Sequence, residues 1–344
     1  MHSKTVERFG MSLVRIFAAL VQVVVLFLLA GPVLGAPPLL ELPIRCTLGQ
    51  DCFIQNYFDH DPSAGYYDYT CGTLTYDGHH GTDFRLRDLA AMRKKVAVVA
   101  AAPGTVIGVR DGEPDLNVKL RDKNSLKGKE GGNGVRIDHG DGWTTQYSHL
   151  LLGSIVVRKG QRVKAGDILG MVGLSGNTEF PHVDLSVSKD GKPVDPFSLE
   201  PTVCGKPSRT LWSSVALAAL RYQPTGVLIS GFAATPPLKD IAEAGGYDAQ
   251  TIPGDAESIA FWTELFGMHK DDRLTLELYG PDKQRISNSQ TLLPGDKAVW
   301  FAYSGKRLKA GLWPVGRYSA LLRLERAGKV VVEERRETEV RKRD

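Results

Sequence analysis

A run of short β-type segments, each broken by glycine, constrains this chain most and extends from about Cys71 to Leu199. Its members are Val96–Ala101, Gly104–Val109, Gly134–His139, Trp143–His149, Ile155–Val157, Asp167–Val172 and His182–Ser188. Many short strands at this spacing predict an antiparallel sheet or a small sandwich, so the chain is expected to be mainly β. Between Arg110 and Gly132 lies a polar stretch, DGEPDLNVKLRDKNSLKGKEG. Its charges and glycines make it a surface loop, one edge of a groove.

A second β-rich region begins near Pro224. Leu274-Thr-Leu-Glu-Leu-Tyr279 alternates, Gly280-Pro-Asp282 reads as a turn, and Tyr318 to Val340 holds two strands around Ala327-Gly328. This resembles a small immunoglobulin-like β-sandwich over residues 224–344. It carries no cluster of chemical residues and is expected to be a structural or docking module. A linker at 200–223, with a short helix at Ser213–Arg221, joins it to the glycine-punctuated domain at 71–199. Residues 36–70, rich in Pro, Asp and Tyr, read as an irregular lead-in.

Residues 1–35 read as an export signal. Lys4, Arg8 and Arg15 precede an apolar stretch from Ile16 to Leu29, a Gly31-Pro32 break follows, and Val33 and Gly35 suit a cleavage site. An uncleaved anchor is the alternative, because the run nearly reaches the ~20 residues that span a bilayer. Either reading puts the remainder outside the cytoplasm, periplasmic or extracellular, with membrane contact only through that segment. Without it the formal charge falls from +4 to +2, which argues against nucleic acid as a partner. Cys46, Cys52, Cys71 and Cys204 are an even set and suit two disulfides in an oxidising compartment. Of the three pairings, a local Cys46–Cys52 loop with a long Cys71–Cys204 clasp fits the spacing best. No paired CxxC favours a zinc cluster instead.

Three segments carry chemistry. Asp77-Gly-His-His-Gly-Thr-Asp83 places His79 and Asp83 four apart, with Gly81 between them to allow a tight turn. An imidazole and a carboxylate so arranged suit zinc. Along Pro181-His-Val-Asp-Leu-Ser-Val-Ser188, alternation sends Val183, Leu185 and Val187 into a core and leaves His182, Asp184 and Ser186 on the other face. Thr145-Gln-Tyr-Ser-His-Leu150 puts His149 at a strand end. Each alone fits an ordinary polar loop or solvated sheet face. Together they supply the inventory for metal-assisted hydrolysis.

Residues from about 72 to 197 resemble the lysostaphin/LytM-type zinc endopeptidases, peptidase family M23. HxGxD at His79–Asp83 is similar to the family's first metal motif. Gly132-Asn-Gly-Val-Arg-Ile-Asp-His-Gly140, followed by Tyr147-Ser-His-Leu150, resembles its strand pair ending in a catalytic histidine. Val157 to Gly173 resembles the glycine-punctuated stretch before its last motif. That last motif is HxH in the family and reads His182-Val-Asp184 here.

The resemblance implies zinc on His79, Asp83 and Asp184, with His149 and His182 handling protons and stabilising an oxyanion. The implied activity is hydrolysis of peptidoglycan stem or cross-link peptides by an exported metallo-endopeptidase. An alternative is a catalytically impaired relative that binds wall peptides or regulates a cell-wall amidase or divisome protein. A second carboxylate ligand lowers the charge of the metal centre and weakens it as a Lewis acid. A biotinyl- or lipoyl-type carrier shares the look of Lys159–Gly166 and Ala102–Val106. It would need an acceptor lysine at a hairpin tip, which is missing.

Overall fold

The computed structural model describes residues 36–200, 209–247 and 251–342. The expected signal at 1–35 and Cys204 lie outside them. Among the described residues no helix is long and apolar enough to cross a membrane. The protein is mainly β, as the glycine-broken segments predict.

One sheet positions the site. It contains β1 (Cys52–Asn56), β2 (Gly81–Leu86), β4 (Gly104–Arg110), β5 (Asn133–Gly140), β6 (Trp143–Leu150), β7 (Arg162–Val163), β9 (His182–Lys189) and β10 (Lys192–Val194). Their order is β1-β2-β9-β6-β5-β4-β7, with β10 on β9. β3 (Ala97–Val99) and β8 (Ile168–Met171) pair separately. Behind the sheet Val183, Leu185 and Val187 are at most 1% exposed and join Phe84, Ile137 and Tyr147 in one apolar core. Each such aliphatic side chain contributes about 1.5–3 kcal/mol on burial.

Two local expectations change. Part of the lead-in is a strand: β1 pairs with β2 at the sheet edge. Both faces of β1 are covered, so it shows no period-two signal. Ile155–Val157 is not a strand, because only the Val156 amide bonds across, to Leu169. Cys46 and Cys52 form a disulfide; Cys71 is also disulfide-bonded.

The C-terminal residues form two sheets. β11 (Gly226–Ala233), β13 (Ser258–Met268) and β16 (Lys297–Arg307) make one. The other holds β12 (Thr251–Pro253), β14 (Arg273–Tyr279), β15 (Arg285–Leu292), β17 (Gly316–Arg326) and β18 (Lys329–Arg341). They enclose a second core around Ile259, Phe261, Leu265, Leu276 and Leu322. The expected helix spans Ser214–Ala219, capped by the Ser213 hydroxyl. Pro38–Asp344 is one compact unit, and β13 shows why. All eleven of its residues are buried; its odd positions Ile259, Phe261 and Leu265 face the second core, while Trp262 and Phe266 join the first.

Candidate metal centre and groove

Strand register builds the site. Across β2 and β9, Gly81 lies opposite Ser186, Asp83 opposite Asp184, and Arg85 opposite His182. On the other side of β9, Ser148 of β6 lies opposite Asp184. Alternation therefore places Gly81, Asp83, Arg85, His182, Asp184, Ser186 and Ser148 on one face. His149, one residue beyond Ser148, would point the other way in a regular strand. Its φ of 63° breaks the alternation, and its ring lies 4.5 Å from that of His182. A left-handed non-glycine residue costs about 1–3 kcal/mol. Hydrogen bonds from the His149 amide to the Gly131 carbonyl and from the Gly173 amide to the His149 carbonyl hold it there.

One donor atom each from His79, Asp83 and Asp184 lies within 4.8 Å of the others. His79 Nε2 and His182 Nε2 stand 3.2 and 3.4 Å from Asp83 Oδ1. Each imidazole is tied down by its other nitrogen. His79 Nδ1 bonds the Tyr57 carbonyl at 2.8 Å, His149 Nδ1 the Ser175 carbonyl at 2.7 Å, and His182 Nδ1 the Phe180 carbonyl at 3.0 Å. A carbonyl oxygen can only accept, so Nδ1 carries a proton in all three rings and Nε2 is left for the site. Asn56 Nδ2 donates to Asp83 Oδ2 at 2.7 Å and leaves Oδ1 for the histidines.

Gly81 has a role different from the tight turn expected of it. It starts β2, and the Asp184 carboxylate occupies the space above it; a Cβ there would lie 1.8 Å from Asp184 Oδ1.

The electrostatics follow from crowding these groups in a buried place. Burial pushes the Asp83 carboxyl up, but His79 and His182 outweigh it and hold it well below the usual range. For His79, burial opposes protonation, yet Asp83 raises it to about 9. Burial, then the Asp83 charge, pushes Asp184 up to about 6. Burial and neighbouring His182 press His149 down to about 3, so it is neutral. On His182, burial works against the charge and Asp83 prevails, giving a raised value. Protons thus balance charges that a divalent cation would balance in their place. His79 and Asp83 have their outer hydrogen bonds made, Ser186 Oγ stands 3.3 Å from Asp184 Oδ2, and the three donors together fit such an ion.

A groove of about 410 Å³, lined by Arg110, Gly131, Gly132, Arg136, Gln146 and Ser148, reaches the site face at Ser148, opposite Asp184. Arg136 and Gln146 also line a hollow of about 250 Å³ that reaches His80 and Ser186. Glycines at the end of the polar insertion form one wall. That insertion is fastened to the loop before β9, with the Val118 amide bonding the Thr178 carbonyl and Asn117 Nδ2 bonding the Glu179 carbonyl.

All five sequence-derived candidates, His79, Asp83, His149, His182 and Asp184, converge on this one place. Sequence reasoning missed their supports: Asn56 and the Tyr57 and Phe180 carbonyls. The Cys52-Phe-Ile-Gln-Asn56 run, with β-type residues after a cysteine, was the available signal for the first two.

Residues 77–196 match the family model described as Peptidase family M23. Over 107 residues the chain is 33% identical to the DD-carboxypeptidase/endopeptidase Mpg of Neisseria meningitidis serogroup B, covering 30% of this chain and 23% of that protein. It is 32% identical over 117 residues to the peptidoglycan DD-endopeptidase ShyA of Vibrio cholerae serotype O1, covering 34% and 22%. Over 76 residues it is 41% identical to the cell division protein DipM of Caulobacter vibrioides, covering 20% and 12%. The chain therefore spans less than a quarter of each of these relatives. The sheet that carries the His79–Asp83 and His182–Asp184 motifs lies within the region similar to peptidase family M23.

Proposed function

We propose that this protein is an exported zinc metallo-endopeptidase that hydrolyses peptide bonds in peptidoglycan stems or cross-links. The observation that carries the reading is the convergence of His79, Asp83 and Asp184 beside two further imidazoles, all three rings fixed through Nδ1. Two relatives named as endopeptidases supply the substrate class. Zinc held by His79, Asp83 and Asp184 would polarise a peptide carbonyl and activate a water. Neutral His149 accepts a proton at Nε2, and His182 steadies the developing oxyanion from beside it. A flexible peptide lies along the groove past Arg136 and Gln146. Chelator-sensitive cleavage of purified cross-linked muropeptides tests this reading; a zinc-loaded, folded protein that cleaves none sinks it.

One feature favours a second reading. Asp184 stands where the family motif has its second histidine, and two carboxylates make a weaker Lewis acid. On that reading the groove binds wall peptides or regulates a cell-wall amidase without turnover. A cellular phenotype that survives His149→Ala would support it.

A further inference from the structure

Glu264 is only 1% exposed and lies on the face of β13 between Trp262 and Phe266, an otherwise apolar face packed on the first core. A buried carboxylate in such a place is costly without a partner. Its partners are Arg85, whose Nη2 donates to Glu264 Oε2 at 3.2 Å across 179 residues of sequence, and Lys239, whose Nζ stands 3.7 Å from Oε1. Arg85 is itself buried, donates through Nη1 to Gln55 Oε1, and holds its guanidinium 4.7 Å from the centre of the Phe180 ring. That ring lies 4.7 Å from His182, and the Phe180 carbonyl accepts the His182 Nδ1 proton. Arg85 also faces His182 in the strand register. An unbroken row of contacts therefore runs from the C-terminal sheet to a site imidazole.

We propose that Glu264 is a positioning residue for His182, acting through Arg85 and Phe180, so that the C-terminal sheets are part of the site's support. This rests on the endopeptidase reading above. An ion pair that merely joined the two cores would not need the ring of Phe180 against its far side. The position of Phe180 is set twice, by stacking under the guanidinium and by its carbonyl on His182.

The test uses the full chain with Glu264→Gln, Phe180→Leu and the double variant. Steady-state cleavage of cross-linked muropeptides gives kcat and KM, and the proton NMR signal of His182 Nδ1–H reports the imidazole without turnover. Each single substitution is expected to lower kcat about tenfold, to leave KM within about twofold, and to move the His182 signal. The double variant should be no worse than the weaker single, because both cut one chain of contacts. Phe180→Leu keeps the Arg85–Glu264 pair, so it decides the matter if Glu264→Gln does not fold. Wild-type kcat in Phe180→Leu, an unmoved His182 signal in Glu264→Gln, or additive losses in the double variant overturn the proposal. If the unsubstituted protein cleaves nothing, the endopeptidase reading falls and the His182 signal of Glu264→Gln alone decides: moved supports positioning, unmoved ends it.

Discussion

The carboxylate of Asp184 fills the space that a side chain on Gly81 would need, with 1.8 Å between Oδ1 and an added Cβ. Gly81 begins a strand and lies outside the positive-φ set, so alanine there is compatible with the backbone. What must yield is the Asp184 carboxylate. Gly81→Ala is therefore expected to fold with nearly unchanged Tm and to lose bound zinc, as measured by elemental analysis after dialysis. Full zinc occupancy in a folded Gly81→Ala protein would remove Asp184 from the ligand set.

Asn56 fixes the opposite carboxylate. Its amide occupies Asp83 Oδ2 and is buried with it. Asn56→Ala frees that oxygen to rotate and leaves it without a donor. Losses of about 10–100-fold in metal affinity are usual when an outer partner is removed. Competition with a zinc-chelating dye should place this variant in that range, with the protein still folded.

In the proposed ligand set His149 holds no place, and its low proton affinity leaves Nε2 unprotonated at neutral pH. His149→Ala is expected to lower kcat by about 10²–10⁴-fold, the usual contribution of a positioned acid–base group. Zinc content should stay at the unsubstituted value. A parallel loss of zinc would make His149 a ligand instead.

The legibility of these features in the sequence depends on how local they are. His182, Asp184 and Ser186 could be placed on one face because Asp184 and Ser186 stay partly exposed between buried Val183, Leu185 and Val187, so period two survives. His79 and Asp83 could be paired because they are four residues apart. β1 was hidden because both its faces are covered, and with it went Asn56 and Tyr57. The orientation of His149 depends on one left-handed φ that no residue type announces. Arg85 and Glu264 meet only because β13 packs one face on the core of the site-bearing sheet, a tertiary event with no local pattern. Glu264 left one trace, a lone acid in the buried run Ser258–Met268.

A second depressed carboxyl, away from the site, also ties stability to pH. Arg326 grips Asp272 with Nε to Oδ1 at 2.8 Å and Nη2 to Oδ2 at 2.7 Å, and the His269 amide donates to Oδ2. Burial pushes the Asp272 carboxyl up, but Arg326 and that amide outweigh it and hold it below its ordinary 3.8. A carboxyl depressed on folding contributes stability that is present above its unfolded value and is lost as pH falls through the folded one. Asp272→Asn leaves Arg326 without its countercharge, at a cost of about 3 kcal/mol at pH 7. Urea unfolding of both proteins should show that difference at pH 7 and a smaller one below pH 4, where the unsubstituted protein loses the same contribution. An equal difference at both pH values would mean that Asp272 is worth its packing and neutral hydrogen bonds alone.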